Sequence, residues 1–200
     1  MRVLVACEYS GIVRDAFTRA GHDAMSADIL PTESPGLHHQ GDVRDLLGCQ
    51  WDLIIAHPPC TRLTLAGVRW LHERDLWSEL DEACAFFRLF MGAAHRVAIE
   101  NPQPHRYAVE RVGRNYEQKV QPWQFGHGET KGICLWLENL PPLEPTNVVE
   151  GREARVHKCP PGADRAKVRS RFFKGVAEAM AEQWGGICTP YPGPKAPTPP

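Results

Sequence analysis

Two hundred residues, 42% hydrophobic and 24% charged, suffice for one globular domain with a sizeable core and leave little for a second module. A net charge of −1 excludes a chain coated in basic residues, and no apolar run nears the roughly 20 residues of a membrane span. Seven cysteines, an odd number with no CxxC pair, indicate neither a disulfide framework nor a zinc ribbon. With an N-terminus that lacks a signal-peptide pattern, they point to a reducing, cytoplasmic setting.

In chain order, the first half alternates short apolar runs with helical patterns, which predicts an α/β fold around a mostly parallel sheet. Residues 3–6 read as a first strand, 12–20 as a helix stopped by Gly21, and 23–27 as a second strand closing on Asp28. Residues 53–56 are apolar throughout, as in a central strand buried on both faces. Residues 78–92 have helical periodicity, and 97–99 form a short buried strand ending at Glu100. Beyond Asn101, prolines punctuate β-like pieces, notably 133–137, expected to pair antiparallel at the sheet edge. A helical pattern runs from Arg165 or Val168 to Trp184. The domain is expected over 1–188, followed by a Pro-rich disordered tail over 189–200. Between Arg152 and Lys174 basic residues outnumber the two acids, Glu153 and Asp164, giving either a phosphate-contacting surface or a merely solvated one.

Three turns after strands carry the residues with chemistry. In open α/β sheets ligands bind beyond the carboxyl ends of strands, so these turns are expected to converge. The first, Glu8-Tyr9-Ser10-Gly11, lets a ligand approach the backbone at a helix start, although many such turns hold none. Asp28 stands where a carboxylate accepts bonds from ribose hydroxyls, and Asp42 follows the next short segment; either acid alone also fits a helix cap or turn. The second turn is His57-Pro58-Pro59-Cys60. Consecutive prolines hold the backbone stiff, so Cys60 is presented in a fixed direction as a candidate nucleophile, with a buried inert cysteine as the alternative. A cation must favour its thiolate, and Arg62 is near in sequence. The third, Glu100-Asn101, ends an apolar strand, where burial is expected to raise the carboxyl pKa for acid duty; capping of local amides is the plainer role.

Tyr9-Ser10-Gly11, Gly41-Asp42, Pro59-Cys60 and Glu100-Asn101, in that order and at these spacings, resemble the motif set of the cytosine-5 DNA methyltransferases. The stretches DLIIAHPPCTRLTLAG, AIENP, QFGHGETKGICLWLENLPPL and RSRFFKGVAEAMAEQWG are similar to short, phage-type members, over roughly Met1 to Gly185. The resemblance implies a Rossmann-like S-adenosylmethionine-dependent fold and methylation of cytosine carbon 5 through a covalent Cys60 adduct. It implies catalytic roles for Cys60 and Glu100, with Arg169 and Arg171 standing in for the family's arginine pair. It places the cofactor S-adenosylmethionine against Tyr9, Ser10, Gly11, Asp28, Asp42, Val43 and Pro58, closed by a last motif over 175–184. The implied partner is DNA, duplex or single-stranded, from which the target base is flipped. Residues 143–165 are too few for the family's target-recognition domain, so free cytosine nucleotides are an alternative substrate. A non-catalytic nucleic-acid-binding relative is another reading. A Pro-Pro loop of the amino-methyltransferase kind needs an aromatic where Cys60 stands.

Overall fold

The computed structural model describes residues 1–162 and 165–187, so the 189–200 tail and Asp164 of the basic segment lie outside the described residues. The strands are β1 (Arg2–Ala6), β2 (Asp23–Asp28), β3 (His38–Gln40), β4 (Leu53–Ala56), β5 (Arg96–Asn101), β6 (Gln118–Val120) and β7 (Ile133–Glu138). They form one sheet in the order β3-β2-β1-β4-β5-β7-β6, parallel except for β7, which runs antiparallel to both neighbours. The helices are α1 (Ile12–Arg19), α2 (Arg44–Leu47), α3 (Val68–Glu73), α4 (Trp77–Arg88), α5 (Arg106–Val112), α6 (Arg155–Lys158), α7 (Arg165–Ser170) and α8 (Lys174–Gly185).

Both faces of the sheet are covered, which is why the central strands are apolar without alternation. On one face α1 and α8 pack Phe17, Met180 and Trp184 against Val3, Val5, Leu53 and Ile55. On the other, Leu80, Phe87 and Phe90 meet Leu4, Ile54, Val97 and Ile99. Among the described residues no helix is long and apolar enough to cross a membrane.

Four expectations need correction. β5 runs on through Glu100 and Asn101, because pairing with β7 (Glu100 with Leu135, Asn101 with Cys134) extends the ladder. β7 is interior and the short β6 forms the edge. The helical pattern of 165–184 breaks after Ser170, where Phe172 and Phe173 turn into the core, and α8 begins at Lys174. Gly175 then packs so close to the Phe125 carbonyl that any Cβ would collide with it. Finally, α4 ends at Arg88 rather than at Gly92, which sits at φ +69° in the following turn.

Successive strands step outward from β1 on one side and from β4 on the other. The chain therefore reverses direction between β1 and β4, and a crevice opens beyond their carboxyl ends. The turns after β1 and β4 flank it, and β5 lies next to β4.

Candidate active site

The β1–β2 side of the crevice is built by a turn that satisfies itself. Cys7 leaves β1 in a left-handed conformation, φ 58°, a strained state for a non-glycine residue. The buried Glu8 then folds its carboxylate onto the start of α1, accepting from Val13 N at 2.7 Å, Arg14 N at 3.2 Å and the Ser10 hydroxyl at 3.2 Å. Those amides would otherwise be the orphan donors of the helix terminus. Gly11 caps the helix at φ 74°, and a Cβ there would strike the Arg14 guanidinium. Arg14 is only 1% exposed and donates to Ser26, Thr32, Ser34 and Pro35, tying the loop after β2 to α1.

Asp28 and Asp42 converge on this side: burial first, then these two carboxylates, push the Cys7 thiol up to about 12. Asp28 ends β2 with one carboxylate oxygen accepting from Leu30 N at 2.9 Å, and burial raises its pKa. Asp42 is more exposed and accepts from Arg44 N at 2.9 Å and the Arg44 guanidinium at 2.8 Å; the backbone bond from Arg44 is the main reason its pKa is lowered. Val43 is buried against the sheet, and the Tyr9 hydroxyl lies 3.0 Å from the Ser170 hydroxyl.

The β4–β5 side is different. The parallel register sets Ala56 beside Ile99, so the next residues, His57 and Glu100, fall side by side on the face covered by Phe172. His57 Nδ1 lies 3.2 Å from Glu100 Oε2, and the His57 ring stacks on Phe172 with centroids 4.8 Å apart. Burial alone would push the Glu100 carboxyl up. The His57 hydrogen bond and the charges of Lys131 and His57 outweigh burial and hold it below the ordinary glutamate value. This reverses the expectation of a raised pKa, because a buried carboxylate with a hydrogen-bonding cationic neighbourhood stays ionised. Glu100 Oε1 and His57 Nε2 are both buried without a hydrogen-bond partner.

Pro58 is buried, and its carbonyl accepts from Asn101 Nδ2 at 3.2 Å, clamping the Cys60 loop to β5. The Cys60 carbonyl accepts from Leu63 N and Thr64 N, and the Arg62 carbonyl lies 2.7 Å from Nε2 of the buried His105. The Cys60 thiol is pushed up by burial first and by the Glu100 charge second, while Lys131 and Arg169 pull it down. Arg62 is not the activating cation: Glu79 engages it.

Glu100 and Arg169 are thus near enough for their charges to act on Cys60 at one end of the crevice, and Asp28 and Asp42 on Cys7 at the other, with Tyr9, Ser10 and Gly11 in the turn after β1. Arg171 is engaged with Glu33 at 2.7 Å. His57, Lys131, His105 and Phe172 are site residues that motif reading passed over. Lys131 belongs here because β7 runs antiparallel to β5, so the residues ahead of Ile133 lie beyond the carboxyl end of β5. Lys131 Nζ donates to the Arg169 carbonyl at 3.2 Å, fastening α7 over the site.

No protein-family model and no curated protein sequence matches the chain. Among solved structures, the chain is similar to an Entamoeba histolytica methyltransferase at 11% identity and a TM-score of 0.49, covering 74% of this chain and 57% of that one. It is also similar to WbdD, solved with a kinase inhibitor, at 10% identity and a TM-score of 0.38, covering 70% of this chain and 36% of that one. The chain therefore spans little more than half of the first of these proteins and about a third of the second.

Proposed function

We propose that the chain transfers a methyl group from S-adenosylmethionine to carbon 5 of cytosine in DNA, through a covalent bond to Cys60. The observation that carries this reading is Glu100, an ionised, buried carboxylate that keeps one oxygen unpartnered, on the strand end adjoining the Cys60 loop and near enough for its charge to raise the Cys60 thiol pKa. A thiolate attacking carbon 6 sends the ring electrons toward carbon 5 and ring nitrogen 3. Glu100 accepts from the exocyclic amine and orients the ring, while the negative charge that builds toward nitrogen 3 calls for a donor, which an ionised carboxylate is not. Carbon 5 then takes the methyl group that bound S-adenosylmethionine would supply, the S–CH3 bond breaking to leave S-adenosylhomocysteine as the neutral thioether. Loss of its proton to solvent base re-forms the ring double bond and expels the Cys60 thiolate. Cys60 rests as a thiol, and Lys131 and Arg169 are the charges that favour its ionisation.

The opposite end of the crevice suits this cofactor better than a dinucleotide. Glu8 already occupies the amides where a phosphate would bind α1, and with Asp28 and Asp42 it makes this end acidic. A sulfonium cation is welcome there and a pyrophosphate is not. When bound, S-adenosylmethionine supplies an electrophilic methyl group; Asp28 would hold its ribose and Tyr9 would lie against the adenine. The strand order, with its single reversed strand β7, also agrees with the architecture that the sequence resemblance implies.

A nucleic-acid polymer is favoured over a free nucleotide by α3, which follows the Cys60 loop. Here the Arg69 and Arg74 guanidinium groups lie over the Trp70 ring, 4.4 and 4.3 Å from its centroid, which gathers an aromatic and phosphate-seeking charge beside the loop. Labelled S-adenosylmethionine incubated in parallel with duplex DNA, single-stranded DNA, dCMP and dCTP tests the proposal. Label in DNA at cytosine carbon 5 is expected. Transfer to free nucleotide alone overturns the polymer, and transfer to none overturns the methylation.

A further inference from the structure

We propose that His57 reads the pyrimidine edge together with Glu100, supplying the hydrogen-bond donor that an ionised Glu100 lacks; this rests on the cytosine reading above. The two side chains are locked in one unit by the 3.2 Å contact between His57 Nδ1 and Glu100 Oε2. That contact uses one polar atom of each. The remaining two, Glu100 Oε1 and His57 Nε2, are buried and unpartnered, on side chains only 10% and 12% exposed. Buried polar groups are ordinarily satisfied, so two orphans flanking one hydrogen bond point to a ligand that meets both.

The chemistry of that ligand follows from the proton positions. Glu100 is held ionised, so Oε2 accepts a proton donated by Nδ1, and Oε1 offers an acceptor only. With Nδ1–H committed, Nε2 is a bare acceptor in the neutral ring and a donor in the imidazolium. The charged pair therefore presents an acceptor beside a donor. That is the complement of cytosine, whose exocyclic amine donates and whose ring nitrogen 3 accepts. Uracil and thymine present the reverse and would set a carbonyl oxygen against the carboxylate. A carboxylate alone would hold the amine and repel the lone pair of nitrogen 3.

The Phe172 ring packs on His57, Lys131 acts on Glu100, and Cys60 feels the charges of Glu100, Lys131 and Arg169. Nitrogen 3 rewards only the charged ring, so cytosine binding is expected to place a proton on Nε2 of His57.

Nitrogen-15 NMR of the His57 ring in the full chain tests this, with dCMP, a cytosine-containing single strand and dUMP as probes. The expected result is an Nε2 resonance of His57 that moves toward the protonated range with both cytosine probes and stays put with dUMP. His57→Phe, which keeps the stack on Phe172, should weaken cytosine binding about tenfold and level the preference for cytosine over uracil. His57→Gln, which retains a donor, should restore part of that preference. An Nε2 resonance indifferent to both cytosine probes overturns the proposal, as does an undiminished preference in His57→Phe. Methyl transfer is read separately on the same samples. Transfer without an Nε2 shift sinks the role of His57 and leaves the methylation standing. A shift without transfer does the opposite.

Discussion

The two ends of the crevice hold carboxylates of the same kind and treat them in opposite ways. Glu8 and Asp42 spend their oxygens on backbone amides and a guanidinium of their own segments, and Asp28 takes Leu30 N. Glu100 instead is buried, paired through one oxygen to His57, and left with the other unmet. The first arrangement orders a turn and leaves an acidic surface, which suits binding. The second keeps desolvated groups poised at a cost of roughly 1–3 kcal/mol for each unmet polar atom, which suits chemistry that a substrate completes.

Removing the nucleophile should break this contrast most completely. Cys60→Ser is expected to lower methyl transfer by roughly 10⁴-fold with the fold intact, and to abolish the covalent adduct with 5-fluorocytosine DNA. An adduct that persists in this variant would show that another residue attacks.

Glu100→Gln comes next and separates two effects of one charge. Transfer is expected to fall by about 10²–10³-fold, because a neutral amide holds both the exocyclic amine and the His57 ring less firmly than a carboxylate does. Yet Glu100 is one of the groups that raise the Cys60 pKa, so the same variant should alkylate faster with iodoacetamide at pH 8. Slower alkylation would mean that Glu100 helps to ionise the thiol instead.

Asp28→Asn probes the binding end. The Michaelis constant for S-adenosylmethionine should rise about tenfold with the rate at saturation nearly unchanged, the mark of a lost binding contact. A drop confined to the saturated rate would move Asp28 out of the cofactor site.

The sequence carried the strands well where apolar runs are long enough to read. β1, β2, β4 and the start of β5 lie within a residue or so of their predicted ends. It was silent on β3 and β6, because three-residue strands such as His38–Gln40 hold too few positions for an alternation to show. The motif turns pointed to Cys60, Glu100 and Asp28 but not to what surrounds them. His57 stood in the same tetrapeptide as the nucleophile, and only the register that sets Ala56 beside Ile99 makes it the partner of Glu100. Lys131 reaches the site through an antiparallel crossing that no local pattern announces. For the same reason the sign of the Glu100 shift could not be read from burial alone: it depends on neighbours that are distant in sequence.

On the binding side, Glu8→Gln should cost about 1 kcal/mol of stability, the usual worth of a carboxylate accepting from the first-turn amides of a helix, and lower Tm by about 2–4 °C in a chain of this size. The comparison predicts that this loss appears without substrate, since Glu8 serves its own helix. An unchanged Tm would mean that the carboxylate is held in place for a ligand.

The smallest effect expected tests whether the nucleophile loop has a local anchor of its own. His105 is 1% exposed and bridges two elements: its Nδ1 accepts from Ala108 N at 3.0 Å, so Nε2 carries the proton and donates to the Arg62 carbonyl at 2.7 Å. Burial is the main reason its pKa is lowered. The unfolded chain therefore takes up this proton more readily, and stability rises with pH across the interval between the folded and unfolded values. The contribution is fully present above the ordinary histidine value of roughly 6.5 and is lost as pH falls from there toward the folded value. Protonation at Nδ1 also removes the acceptor for Ala108 N, freeing the start of α5 and loosening the turn that carries Cys60. Melting followed between pH 7.5 and 5 should show a steeper acid-side fall in the parent chain than in His105→Asn, and the difference between the two curves isolates this residue from the other histidines. Parallel curves would show that the His105 ring does not anchor the Cys60 loop, leaving that task to bonds such as Asn101 Nδ2 to the Pro58 carbonyl and His105 N to the Leu63 carbonyl.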